Sequence, residues 1–144
     1  MKPEEFIRGL DEVRVVAAIE RAERLTTGEI RVCVVRRAVK EPIAAAREAA
    51  VRLGMDRTAD RNGVLILIAP LSRSYAVVGD AGIHGRCGEA FWAEIGAELG
   101  RAFANGQANE GIEAAIVRIG EALARHFPRT PGDRNELPDS VAIE

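Results

Sequence analysis

Thiols and imidazoles are scarce in this sequence: two cysteines, Cys33 and Cys87, and two histidines, His84 and His126, in 144 residues. The cysteines lie far apart and match no zinc-ligand spacing. Cys33 falls inside an apolar strand pattern, so a buried free thiol is its expected state. Nothing supports a disulfide between the two, and a reducing compartment suits them at least as well. Aromatics make up only 4% of the chain, which leaves the core to Val, Ile, Leu and Ala. An excess of one charge is missing too. Lys and Arg number 20 against 22 Asp and Glu, a formal net charge of −2, which creates no field to gather nucleic acid or an anionic membrane. No apolar run approaches the roughly 20 residues of a membrane span. The N-terminus, MKPEEFIRGLDEVR, is charged from the start and has no apolar leader core. The expected location is the cytoplasm, with no nucleic-acid partner and no direct membrane insertion.

Several site motifs are absent as well. Glycines fall at 79, 82, 85 and 88 in GDAGIHGRCG, which is neither the dinucleotide fingerprint nor a phosphate-binding loop with its Lys-Ser/Thr. That spacing suits a structural turn first, and second a backbone rim with exposed N–H groups. The HGRCG segment does not match the phosphotyrosine-phosphatase loop, because Arg86 precedes Cys87. The EF-hand calcium loop is also missing.

What is present is a globular composition, 47% hydrophobic and 29% charged, long enough for one domain with an ordinary core. Residues 1–128 are expected to form that domain and 129–144 a polar tail or strap. The period of Phe6, Leu10, Val13 and Ala17 predicts an amphipathic helix over residues 4–26, stopped by Gly28. The alternation in Glu29–Val35 predicts a strand, and the Ala-rich Glu41–Leu53 a second helix with Pro42 in its first turn. Val64–Ala69, VLILIA, is continuously apolar, as a central strand buried on both faces would be. Strand–helix–strand order implies a right-handed parallel crossover. The short Leu71-Ser72-Arg73 link to Ser74–Gly79 permits only an antiparallel hairpin. Helical periods return in Glu89–Phe103 and along Ile112, Ile116, Ile119, Leu123 and Phe127, with Asn109 as the cap of the last helix. The expected fold is α/β, a small mixed sheet flanked by helices on both faces.

Asp80 follows a strand end, where a carboxylate suits either a turn cap or a hard cation such as Ca²⁺ or Mg²⁺. Asp56 and Asp60 lie in the loop entering the central strand, and the topology brings that loop to the same sheet edge as Asp80. Asp56, Asp60 and Asp80 are therefore the candidate metal ligands. His84 and Cys87 form a nominal nucleophile–base pair, but spacing alone does not place them within reach. His126 sits at a helix C-terminus, where capping is its ordinary role. Trp92 neighbours an apolar stripe and is expected in the core.

TGEIRVCVV, then RNGVLILIAPLSRSYAVVGDAGI, a helix, Gly111-Ile112 and the final amphipathic helix together resemble the TPM domain family over roughly residues 5–127. The closing HFPRTPGDRNELPD resembles the tail of that family's soluble bacterial branch. The resemblance implies a helix-sandwiched sheet, and calcium binding or acid phosphatase activity in some members. Asp60 and Asp80 are the positions it carries over as ion ligands. Many relatives carry a signal peptide, a membrane span and a glycine-rich end. None of these is seen here, which weakens transfer of the phosphatase role. Two functions of different kinds stay open. One is a non-enzymatic accessory domain that binds a partner, either a membrane protein or another subunit, with any cation structural. The other is a cation-assisted phosphomonoesterase, in which Arg73 or Arg86 would offset phosphoryl charge.

Overall fold

A stretch with no polar side chain cannot face water, and in this protein it forms the middle of the sheet. The computed structural model describes residues 1–133 and 137–144. Strands β1 (Glu29–Val34), β2 (Gly63–Ala69), β3 (Ser74–Gly79) and β4 (Ala142–Ile143) lie in the order β3-β2-β1-β4. All seven residues of β2 are buried. β1 runs parallel to β2 with Glu29 opposite Gly63, β3 is antiparallel to β2, and β4 is parallel to β1. The mixed sheet and its hairpin are thus as the pattern predicts.

Side-chain alternation divides the core into two layers. Ile30, Val32, Val34, Val64, Ile66, Ile68 and Val77 pack beneath helices α2 (Glu12–Glu23), α5 (Glu89–Ala104) and α6 (Ala108–His126). Cys33, Leu65, Leu67, Ala76 and Val78 face α3 (Pro42–Arg52), whose Ala45, Ala46 and Ala49 let the helix approach closely. Trp92 fills the space beside Gly79, where an added Cβ would meet its ring at 2.7 Å. It is a core residue, as expected.

Three local expectations are corrected. The helix over residues 4–26 is two helices, α1 (Pro3–Gly9) and α2, broken at Leu10 and Asp11. The Asp11 side chain accepts from Arg14 N at 3.1 Å, the competition for backbone N–H that makes Asp a helix starter. The break shifts the helical phase, so Val13 is 82% exposed while Val15, Ala18 and Ile19 are buried. Asn109 does not cap α6. Its amide instead clamps that break, accepting from Asp11 N and donating to Gly9 O, both at 2.9 Å. The glycine-spaced segment is not an open turn but a short helix, α4 (Ala81–Cys87).

The C-terminal segment straps back across the molecule. Thr26 bridges Pro128, Val141 is buried in the larger core layer, and β4 adds a fourth strand. Among the described residues, no helix is long and apolar enough to cross a membrane.

Candidate functional site

Glu23 closes the last turn of α2, where the helix dipole disfavours a negative charge. The chain then turns sharply. Thr26 Oγ1 donates to Phe127 O at 2.5 Å and accepts from Gly28 N at 3.0 Å. This turn starts β1 at Glu29, directly beside Glu23. Ile30 N donates to Glu23 Oε2 at 2.8 Å. Arg129, in the strap, donates to the backbone oxygen of Glu23 at 2.9 Å, and the strap continues to Asp139.

Three carboxylates therefore converge. Glu23, Glu29 and Asp139 each offer an oxygen within 4.8 Å of the other two. Glu23 is only 7% exposed and Glu29 only 2%. Glu23 Oε1 is buried and meets no N–H donor among the described residues. Burial, then the neighbouring Asp139 carboxyl, pushes the Glu23 carboxyl up to about 10, while the Ile30 amide works the other way. A pocket of about 180 Å³ opens over these groups, and Glu20 and Asp133 add acid to its wall against Arg24 and Arg129. Oxygens this close together can share one hard cation, whose opposite ligands lie roughly 4–5 Å apart. All donors are oxygens, the set that Ca²⁺ and Mg²⁺ prefer.

The residues expected to bind a cation are arranged differently. Asp80 accepts from Arg61 Nε at 2.7 Å and Nη2 at 3.1 Å, and also caps Ala81 N at 2.8 Å. Asp56 lines the same cleft of about 220 Å³, together with Arg47 and Arg61 over an apolar floor. Asp60 points elsewhere and accepts from Thr27 Oγ1 at 3.3 Å. The topology thus brings Asp56 and Asp80 together but not Asp60, and the arginine has already neutralised Asp80. Among the described residues, Glu23, Glu29 and Asp139 are the one group of three that could hold an ion. Two signals in the sequence point to them. An acidic residue at a helix C-terminus is out of place, and so is a carboxylate opening an apolar strand. Asp139 carries no such signal.

The other nominal chemistry does not assemble. His84 Nε2 lies 2.9 Å from Glu89 Oε1, and its ring stacks on Trp92 at 6.2 Å. Burial raises the Cys87 thiol, which disfavours the nucleophilic thiolate. Arg86 lies over Phe127 and donates to His126 O. Neither Arg73 nor Arg86 lines the acidic pocket or the Arg61–Asp80 cleft.

The TPM domain model matches residues 1–122. This chain belongs to the TPM domain family. Its fold is similar to the NMR structure of the BA42 protein from the psychrophilic bacterium Bizionia argentinensis, at 32% identity, 92% of each chain and a TM-score of 0.84. A second likeness, of fold alone, is to the N-terminal domain of a P. gingivalis protein, at 16% identity over 89% of this chain and 80% of that one, with a TM-score of 0.59. Among curated proteins, none matches. The family match ends before the strap, so Asp139 comes to the pocket from outside the matched region.

Proposed function

We propose that this TPM-domain chain is a non-catalytic accessory domain that binds a protein partner, and that its acidic pocket holds a divalent cation, calcium or magnesium. The observation that carries the cation is the convergence of Glu23, Glu29 and Asp139, with Glu23 nine-tenths buried and one of its oxygens lacking an N–H donor. Burial pushes the Glu23 carboxyl up to about 10, and a cation bound there would take the place of its proton and offset the cost of charging it. The all-oxygen donor set suits either hard cation, Ca²⁺ or Mg²⁺. For the partner, the support is apolar surface: Ile43 and Val51, two turns apart on α3, are each 60% exposed.

Calorimetry on chelator-treated protein tests the cation. Calcium should bind at one site per chain. E29Q should weaken that binding about a hundredfold and D80N should leave it intact; the reverse pattern would overturn the assignment. Turnover of p-nitrophenyl phosphate with either ion should stay at trace level. Robust turnover that D80N abolishes would favour the phosphomonoesterase instead.

A further inference from the structure

After α3 ends at Arg52, the chain makes a short turn, Met55–Arg57, before it enters β2 at Gly63. Met55 is only 2% exposed, and this anchor sets Asp56 at the mouth of the cleft that α3 also lines. Arg47 and Val51, one helical turn apart, lie on the same face of α3 and border that cleft. We propose that this cleft, of about 220 Å³, binds a free α-amino acid with an aliphatic side chain. It shares no residue with the acidic pocket.

The wall carries two cations, Arg47 and Arg61, and two anions, Asp56 and Asp80. Of these, Arg61 and Asp80 hold each other, through Nε and Nη2 on the two carboxylate oxygens. Arg47 has no ion pair or side-chain hydrogen bond among the described residues. Asp56 Oδ1 is buried and meets no hydrogen-bond donor there. Asp56 attracts Arg61 only at longer range. A free guanidinium and a buried acceptor without a donor border one cleft, so a ligand with both an anion and a donor completes them. The four charges sum to zero, so a zwitterion fits where a simple anion or a simple amine leaves one group unmet. The floor is apolar, formed by Ala50, Val51, Met55, Leu65 and Val78. Val51 is 60% exposed, and an aliphatic side chain laid against it removes apolar surface from water. Water in the cleft serves Asp56 but not that floor. The volume is below the roughly 300–1,000 Å³ of sites for drug-sized molecules, which limits the ligand to the size of one amino acid. Its carboxylate goes to Arg47, its ammonium to Asp56 and its side chain to the floor.

Calorimetry of the full-length protein with L-valine, L-leucine and L-methionine tests the site. At least one of them should bind, one per chain, and shift the methyl resonances of Met55, Leu65 and Val78. The N-acetyl and amide derivatives of the best binder each lack one charge, and each should bind about tenfold more weakly or worse. R47A and D56N should each weaken binding about tenfold as well. No heat and no resonance shift from any of the three at about 10 mM refutes the site. A derivative that binds as tightly as the parent amino acid refutes recognition of a zwitterion. Binding that R47A and D56N both leave unchanged puts the ligand elsewhere and overturns the assignment. The derivatives are read on the wild-type chain, so a variant that folds poorly does not decide the outcome. Arg47 is exposed, and the melting curve of R47A should match that of the wild type.

Discussion

Two acidic regions share one end of the sheet, and they differ in what faces the carboxylates. Glu29 pairs in register with Gly63, whose carbonyl accepts from Asp80 N at 2.9 Å, so the regions are near neighbours. Around Asp80 the protein supplies its own cation, the Arg61 guanidinium, in a two-pronged bond. Around Glu23 it supplies mainly other carboxylates. The first is a finished ion pair that fixes the start of α4. The second gathers three carboxyl groups, and burial pushes that of Glu23 up to about 10. Counting acidic residues does not separate the two regions; burial does, since Glu23 and Glu29 are almost fully enclosed.

The largest effect that would break this contrast comes from Glu29. E29Q removes one of the three carboxyl groups at the proposed site and should weaken calcium binding about a hundredfold, or about 2.7 kcal/mol. Unchanged calorimetry would show that the pocket's carboxylates do not act together. Next in size is a change on the other side. A Cβ at Gly82 would lie 2.2 Å from Asp60 O and 2.5 Å from Arg61 O, both of them backbone. G82A should therefore force α4 away from the loop that carries Arg61 and cost about 2–3 kcal/mol. Thermal melting should record this loss, while calcium stoichiometry stays at one.

The pH dependence sharpens the same contrast. Glu23 titrates near 10 in the fold instead of 4.5. In ion-free protein its contribution to stability is complete below about pH 4.5 and is lost as pH rises through about 10. Glu144, held down by Arg52, has the opposite sign: its contribution is present above about pH 4.5 and is lost as pH falls. Denaturant titrations with chelator should therefore show lower stability at pH 9 than at pH 6, and calcium should flatten that slope. A flat profile without calcium would mean that Glu23 keeps an ordinary carboxyl.

The sheet was legible in the sequence because its signals are local. VLILIA can only be buried, and a three-residue link can only be a hairpin. Asp80 as a turn cap was legible for the same reason. The break at Leu10 and Asp11 was not, since Asn109 stabilises it from a hundred residues away. Of the glycines at 79, 82, 85 and 88, spacing alone did not reveal their different duties. Gly82 is needed for a close backbone approach, and Gly88 (φ 82°) joins two helices, whereas Gly85 has open space. The acidic pocket was hidden because its parts are distant in the chain. Asp139 enters through a strap whose polar sequence shows no pairing partner.

The smallest predicted effect asks whether removing the arginine from the Asp80 cleft is enough to make an ion site there. R61A leaves Asp56 and Asp80 in their cleft without the guanidinium. The pair is half exposed on the arginine side, and Asp80 keeps its cap on Ala81, so the cost should be only about 0.5–1 kcal/mol. No second calcium should bind. Two carboxylates remain there, and Asp60 is turned toward Thr27, leaving the cleft one anionic ligand short of the trio in the acidic pocket. A second calcium in R61A would mean that the absence of an arginine is sufficient. One calcium per chain would mean that a third carboxylate is also needed, and in this fold the strap provides it.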